Sequence, residues 1–482
     1  MVDVSRSQLP PLSLLSEPEL AFSPEQSGGR DVHPLRGLAH YGPFSSQTFS
    51  QFTPTVRIAT VGPDRAFKTR GALMASLKQQ HSASDRSGYA PDFPGFASVF
   101  GVDLASSDKA NHIRWPDSID DLPGSGTLQH RLVAAFEAAL SQLSTRHEQF
   151  DVVLVHLPEA WLPYTSGDGF DAHDVLKALG AKHGIPTQVV NDRTFSFSNK
   201  AQLAWRLSIA LYVKAGGIPW KLAPLAGVPA DTAYIGLAYA LKRVNEVTHF
   251  VTCCSQVFDM DGGGMQFVAF EAKDPVKDVR EARRNPFLSR EDMRAVIARS
   301  LSIYQQRNGG ILPRRMVIHK SNAFKENEVL GARDALTAVP EVECIEISSR
   351  PTWRGVWLVK SSGGTAPTQP ARYPVPRGTF VPRSGTSALL WAAGNVPDVS
   401  SKSDYYQGGK SIPRPLLLTR HSGSGPLETI AHETLALTKM DWNNDALYDP
   451  VPVSIRYSQK LARTISNVQD LPGNSYPYRL FM

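Results

Sequence analysis

Four polar side chains between residues 173 and 214 have the types and spacing to hold a doubly charged oxyanion such as a phosphate monoester. His173 and Lys177 stand four apart in HDVLK, on one face if that segment is helical. Gln188 follows in PTQVV and Lys214 in LYVKAGG. Lysines bring charge and donors, and an amide brings a neutral donor and acceptor, which is the mixture an oxyanion site requires. Each residue alone also has a plain explanation: a solvated lysine, a cation at a helix C-terminus, a polar group on a strand edge. A second group is notable for what it lacks. The apolar run RMVIHKS ends in Lys320, Ser321 and Asn322, and YIGLAYA carries Ala238, so neither offers the carboxylate that a hard divalent cation prefers. The nearest acids, Asp259 and Asp261 in DMDGGG, are also ordinary hairpin-turn residues.

The elements that must position these residues fall into two grammars. From Val56 onward, strands and helices alternate: VRIATVG as a strand, Phe67 to His81 and Leu128 to Leu143 as helices, DVVLVHLP as a buried strand. HDVLKALGAKHG then reads as a helix, IPTQVVN as a strand, and LAWRLSIALYVKAGG as a helix closed by Gly216 and Gly217. Such alternation implies a parallel sheet with helices on its faces, a Rossmann-like domain. After the Pro-rich joint PWKLAPLAGVPA come three close strands, TAYIGLAYALK, THFVTCCSQVF and GMQFVAFEAK. A helix from about Glu291 to Gln306, with Ser289 and Asp292 as a capping box, leads into RMVIHKS. Strand, strand, strand, helix, strand is the core order of ribonuclease H-like domains, whose chemistry uses carboxylates on the first and fourth strands to hold two divalent metals. The division expected is 1–53 as a loosely structured arm with its first 30 residues disordered, 54–227 as the first α/β domain and 228–482 as the second.

Composition narrows the class without naming a partner. A chain of 482 residues with 41% hydrophobic content can bury a sizeable core, and a net charge of +6 suits a polyanionic partner or simple surface solvation. Three cysteines, two of them adjacent as Cys253 and Cys254, form neither a disulfide framework nor a metal-ligand spacing, which points to a reducing compartment. No apolar run approaches a membrane span, and MVDVSRSQLPPLSLLSEPEL lacks the basic start and apolar middle of a signal peptide. Cytoplasmic residence is the expectation.

GLAHYGPF, HDVLKALGAKHGIPTQ, LYVKAGGIPWKL, YIGLAYA, LTKMDWNND, PVSIRYSQKLA and the terminal PYRLFM occur in an order that resembles the short prokaryotic Argonautes, a MID domain followed by a PIWI domain, over nearly the whole chain from about Pro34. The resemblance implies a protein that holds a short guide strand and pairs it with a complementary target. By it, Lys177, Gln188 and Lys214 contact the guide's 5′-phosphate, and His173 stacks on the first base. Mg²⁺ in that pocket would be held by the terminal carboxylate of Met482 together with Gln188. Cleaving members carry Asp where this chain has Ala238 and Ser321, and Asp or His where it has Gln459, so the resemblance implies a non-cleaving protein. Arg314, Arg315, Lys320, Arg456 and Lys460 are candidates for contacts to the duplex backbone.

Short members of this family work with a separate effector subunit containing an APAZ segment fused to a TIR or sirtuin-like NADase or to a nuclease. The implied partners are therefore a guide RNA, a complementary single-stranded DNA target and that effector, in a heterodimer that oligomerises on activation. The implied role is prokaryotic defence against invading DNA by abortive infection. Two rivals stand beside this reading. One is an active nuclease using Asp259 and Asp261. The other is an actin-like or sugar-kinase-like ATPase, against which stands the placement of the DMDGGG glycines after a hairpin rather than at a helix start.

Overall fold

The computed structural model describes residues 11–482 apart from 26–27, 84–89, 168–169, 245–246, 258–265, 276–279, 281–285, 361–367, 397–398, 400–411, 444–445 and 468–474. Asp259 and Asp261 lie outside the described residues. The chain forms two compact units, one of Leu20–Lys221 with Trp442–Asp445 and Lys460–Met482, the other of Met1–Glu19 with Leu222–Asp441 and Ala446–Gln459.

The first unit is built on a parallel sheet. Its strands are β1 (Thr55–Pro63), β2 (Asp103–Ser106), β3 (His112–Trp115), β4 (Val152–His156) and β5 (Thr187–Val190), and its main helices are α1 (Asp64–Lys78), α2 (Leu128–Ser144), α3 (Ala172–His183) and α4 (Lys200–Lys214). The order is β5-β4-β1-β2, with β3 also paired to β1, and every pairing is parallel. Val153 and Val155 of β4 pack with Leu132, Phe136 and Leu140 of α2 and with Val175 and Leu176 of α3, the 3.6-residue spacing of each helix facing the strand. Thr127, Asp171 and Asn199 cap α2, α3 and α4 by accepting from first-turn N–H groups. Helix α1 starts three residues earlier than the sequence suggests, immediately after Pro63, and His81 instead exchanges backbone hydrogen bonds with Phe93. At the far end of α4, a Cβ at Gly217 would lie 2.3 Å from Cε1 of Tyr212. That ring lies 4.7 Å from Phe100, and its hydroxyl is 2.9 Å from Oγ of Ser45.

The expected loose arm is ordered in its second half. Residues Pro34–Tyr41 and Ser46–Phe52 are helical, and Leu20, Phe22, Leu35 and Leu38 are buried, because PLRGLAHY presents its apolar residues on one face. The division of the chain also differs from the sequence-based one: residues 460–482 belong with the first unit rather than the second.

The second unit carries β6 (Thr232–Val244), β7 (Val247–Val257), β8 (Gln266–Pro275), α5 (Arg290–Arg307), β9 (Arg315–Lys320), α6 (Glu326–Ala335) and β10 (Glu341–Ser348). Further on are the hairpin β11 (Leu358–Lys360) and β12 (Thr368–Pro370), then β13 (Thr379–Pro382), β14 (Ser387–Leu390), β15 (Leu416–Ser422), α7 (Leu427–Leu437) and α8 (Val453–Asn467), whose residues from Lys460 onward belong to the first unit. The sheet runs β8-β7-β6-β9-β10-β15-β14-β13. Pairs β8-β7 and β7-β6 are antiparallel, β6-β9 and β9-β10 parallel, which is the ribonuclease H-like arrangement. Alternation along β6 sends Ile235 and Leu237 into a core with Ile318, Met293, Val296 and Ile297. Among the described residues no helix is long and apolar enough to cross a membrane.

Candidate nucleic-acid interface

In the first unit the structure brings His173, Lys177, Gln188 and Lys214 together. Helix α3 carries His173 and Lys177 one turn apart, β5 carries Gln188, and Lys214 ends α4. Lys177 and Lys214 are each 1% exposed. Lys177 Nζ donates to the Thr187 carbonyl at 2.6 Å, Lys214 Nζ donates to Oε1 of Gln188, and Nε2 of Gln188 donates to the Val189 carbonyl at 2.9 Å.

Around the Asp174 carboxylate, which pairs with Arg463, the charges acting on His173, Lys177 and Lys214 are cationic. Burial, then the charges of Lys214 and Lys460, pushes Lys177 well below the usual lysine range. Burial and then Lys460 push Lys214 down to about 7. Burial, then Lys177, Lys460, Lys214 and Arg463, holds the His173 imidazole neutral, its pKa pushed down to about 2. Cations repel one another here in a desolvated setting, and the chemistry that relieves such a cluster is an anion with several acceptor oxygens.

Lys460 and Arg463, on α8, complete the cluster. Lys460, expected at the duplex backbone, is half-buried, and its charge acts on Lys177, Lys214 and His173. Arg463 lies 3.0 Å from Oδ2 of the fully buried Asp174, and Thr464 Oγ1 donates to the same carboxylate at 3.4 Å. Sequence reading did not connect α8 with α3; the signal it offered was two cations three apart on the last helix. The tail is docked in this unit as well. Its turn Tyr478–Leu480 packs against α3 and α4, and Leu480, Phe481 and Met482 are buried.

A magnesium ion fits this pocket poorly on the groups described. Ligand atoms of Asp171, His173 and Asp174 do lie within 4.8 Å of one another, near enough to share an ion. Yet Asp171 caps α3 through the N–H groups of His173 and Asp174, Asp174 is paired with Arg463, and four cations surround the imidazole. Gln188, expected as a metal ligand, turns its amide oxygen to Lys214.

Two of the expected backbone contacts in the second unit are corrected by burial. Arg315 is 5% exposed and pairs with Glu433, its Nη2 2.9 Å from Oε2, while Tyr234 Oη donates to the same carboxylate at 2.7 Å. Lys320 is 1% exposed and donates to Glu328 at 2.8 and 2.7 Å. Glu328 also accepts from Tyr239 Oη at 2.8 Å and from the N–H groups of Lys325 and Leu288. Both cations serve the interior because each apolar strand face places them opposite a buried acid. Arg314 is exposed, with Nε 3.8 Å from Glu341, and Arg456 pairs with Asp449.

Leu237 of β6 pairs with Lys320 of β9, so Ala238, midway along β6, and Ser321, just past the end of β9, follow at adjacent positions on two parallel strands. Gln459 is exposed on α8. None of the three carries a carboxylate, and they do not fit a pair of divalent ions.

No family model matches the chain, and no curated protein matches it. Solved structures do. Clostridium butyricum Argonaute bound to a guide DNA (5′ deoxycytidine) and a 19-mer target DNA is similar at a TM-score of 0.69 and 15% identity, over 98% of this chain and 54% of that one. A. aeolicus Argonaute is similar at 0.60 and 15%, over 98% and 55%. Aa-Ago with externally bound siRNA is similar at 0.59 and 15%, over 98% and 56%. The chain thus spans about half the length of these structures. Its fold is the mixed α/β MID–PIWI fold of Argonaute structures.

Proposed function

We propose that this chain, with the fold of an Argonaute MID–PIWI pair, is a short Argonaute that binds the 5′-phosphate of a guide RNA and pairs the guide with single-stranded DNA. The observation that carries this reading is the buried cation cluster of Lys177 and Lys214, with Lys460 and Arg463 beside a neutral imidazole. Lys177 and Lys214 meet neutral acceptors, the Thr187 carbonyl and the Gln188 amide oxygen, and a phosphate monoester supplies the negative charge that would balance them. The imidazole at position 173 offers a flat face without charge, which suits stacking on a base.

Target cleavage is not part of the proposed function, since Ala238, Ser321 and Gln459 stand where the resemblance puts two aspartates and an Asp or His. Pairing would instead be passed to an APAZ-containing effector, a TIR or sirtuin-like NADase or a nuclease, in prokaryotic defence. Base pairing reads the target sequence, and the protein reads guide end and backbone. The test compares guide RNAs bearing a 5′-phosphate or a 5′-hydroxyl. The unaltered chain should prefer the phosphate, and Lys177→Ala with Lys214→Ala should abolish the preference while leaving the thermal transition sharp. Equal binding of both guides by the unaltered chain refutes the reading. Loaded chain given a matched DNA target and Mg²⁺ or Mn²⁺ should leave it intact; site-specific cutting refutes the non-cleaving part.

A further inference from the structure

The segment leaving the carboxyl end of β10 carries a cationic patch. From Ile347 to Pro397 the sequence contains six Lys or Arg residues and no Asp or Glu, although Arg377 among them is buried and paired with Glu17. Three of those arginines bear on the segment leaving β10. Arg350 Nη2 donates to Asn322 Oδ1 at 2.8 Å, which ties it to the residue after Ser321. Arg354 Nη1 donates to the main-chain carbonyls of Thr352 and Trp353 at 3.0 and 2.9 Å. Arg372 lies 5.6 Å from the ring of Tyr373, next to Ala371, whose N–H donates to the Trp357 carbonyl at 2.8 Å. Each described partner of these guanidinium groups is neutral. Trp353, between Arg350 and Arg354, is 57% exposed.

This segment is held rather than loose. A Cβ at Gly355 would lie 2.4 Å from Cγ2 of Val375 and 3.1 Å from Cζ2 of Trp391, so the backbone there lies directly on the sheet's side chains. With Gly355 seated, Trp353 and Arg354 project from a fixed base. An exposed indole flanked by guanidinium groups without carboxylates has the composition of a strand-binding surface, where bases or sugars stack and phosphates are neutralised.

We propose that Arg350, Trp353 and Arg354 grip the sugar-phosphate backbone of the paired target strand at the edge where Ala238 and Ser321 lack acids. The proposal rests on the guide-binding reading above and deepens it. Guanidinium groups take the electrostatic place that divalent ions would fill, and they hold a phosphodiester without activating water. The target stays whole and bound, as a sensor requires.

The test measures guide and target affinity in the same preparations of the full chain. Arg350→Ala with Arg354→Ala should leave affinity for a 5′-phosphorylated guide unchanged. It should weaken binding of the complementary DNA to the loaded chain and flatten the slope of log K against log salt by roughly 1.4 to 1.8, two phosphates' worth. Trp353→Ala should cost roughly five- to one-hundred-fold in target affinity. Trp353→Phe should remove the fluorescence change that target induces in the loaded, unaltered chain. An unchanged salt slope and target affinity in the double variant overturns the proposal. So does loss of a co-purifying protein with target affinity intact, which would make the patch a protein-docking surface. If the unaltered chain loads no guide, the underlying reading falls and this proposal with it.

Discussion

Lys214 is the residue at which charge and binding are most directly coupled. Its pKa of about 7 lies below the ordinary value because the folded chain disfavours the ammonium, whereas a bound phosphate favours it. Above pH 7, binding therefore takes up a proton. Guide affinity should fall as pH rises from about 7 to 10, by up to about tenfold per pH unit for each lysine that must be recharged. Calorimetry in buffers of different ionisation enthalpy checks this, and a flat profile with no proton uptake contradicts it. For the empty chain the sign is reversed: a depressed lysine lowers stability as pH falls from the unfolded value near 10.5 toward 7, and the loss is complete below. That His173, Lys177, Gln188 and Lys214 come together was legible because they lie within some forty residues of alternating helix and strand. Asp174, Lys460 and Arg463 were not, because their meeting depends on α8 returning to α3, and no local pattern encodes a contact at that separation.

At the scale of elements, the strand end that suggests a lost metal site is stabilised by a different kind of chemistry. Glu328 of α6 accepts from Lys320, from Tyr239 and from two backbone N–H groups, all in the interior. Glu328→Ala should destabilise the second unit by about 3–5 kcal/mol, since it strands a buried lysine; urea unfolding monitored by circular dichroism measures it. Restoring acids with Ala238→Asp and Ser321→Asp should not restore cutting, because position 459 still lacks an acid and the buried Lys320 ammonium stays next to the strand end. Cleavage of a matched target by that double variant would show otherwise. Strand order in this unit was legible from apolar runs and the spacing of one helix. Burial of Arg315 and Lys320 was not, because a cation at the end of an apolar strand reads the same whether it meets solvent or a buried acid.

For the whole molecule, chain order and structural membership diverge. Residues 460–482 lie at the end of the sequence and belong to the unit built from residues 20–221. They bring buried Leu480, Phe481 and Met482, each contributing about 1.5–3 kcal/mol of apolar burial. A fragment of residues 20–221 alone should melt well below the same unit in the full chain. Scanning calorimetry of both would settle the point, and an unchanged transition would mean the tail is dispensable. The sequence pattern located the boundary near the Pro-rich joint but not this return, since a strand-and-helix grammar reports neighbours in order and is silent on where a terminus docks.

The close approach of Gly217 to Tyr212 gives the pocket a mechanical stop. Tyr212 is braced by Phe100 on its face and by the Ser45 hydroxyl at its tip, so it cannot retreat from a side chain placed at 217. Any such side chain would turn the last coil of α4, and Lys214 rides on that coil. A screen for variants that fail to load guide should therefore return residue 217, which has no side chain to offer a ligand, beside Lys177 and Lys214.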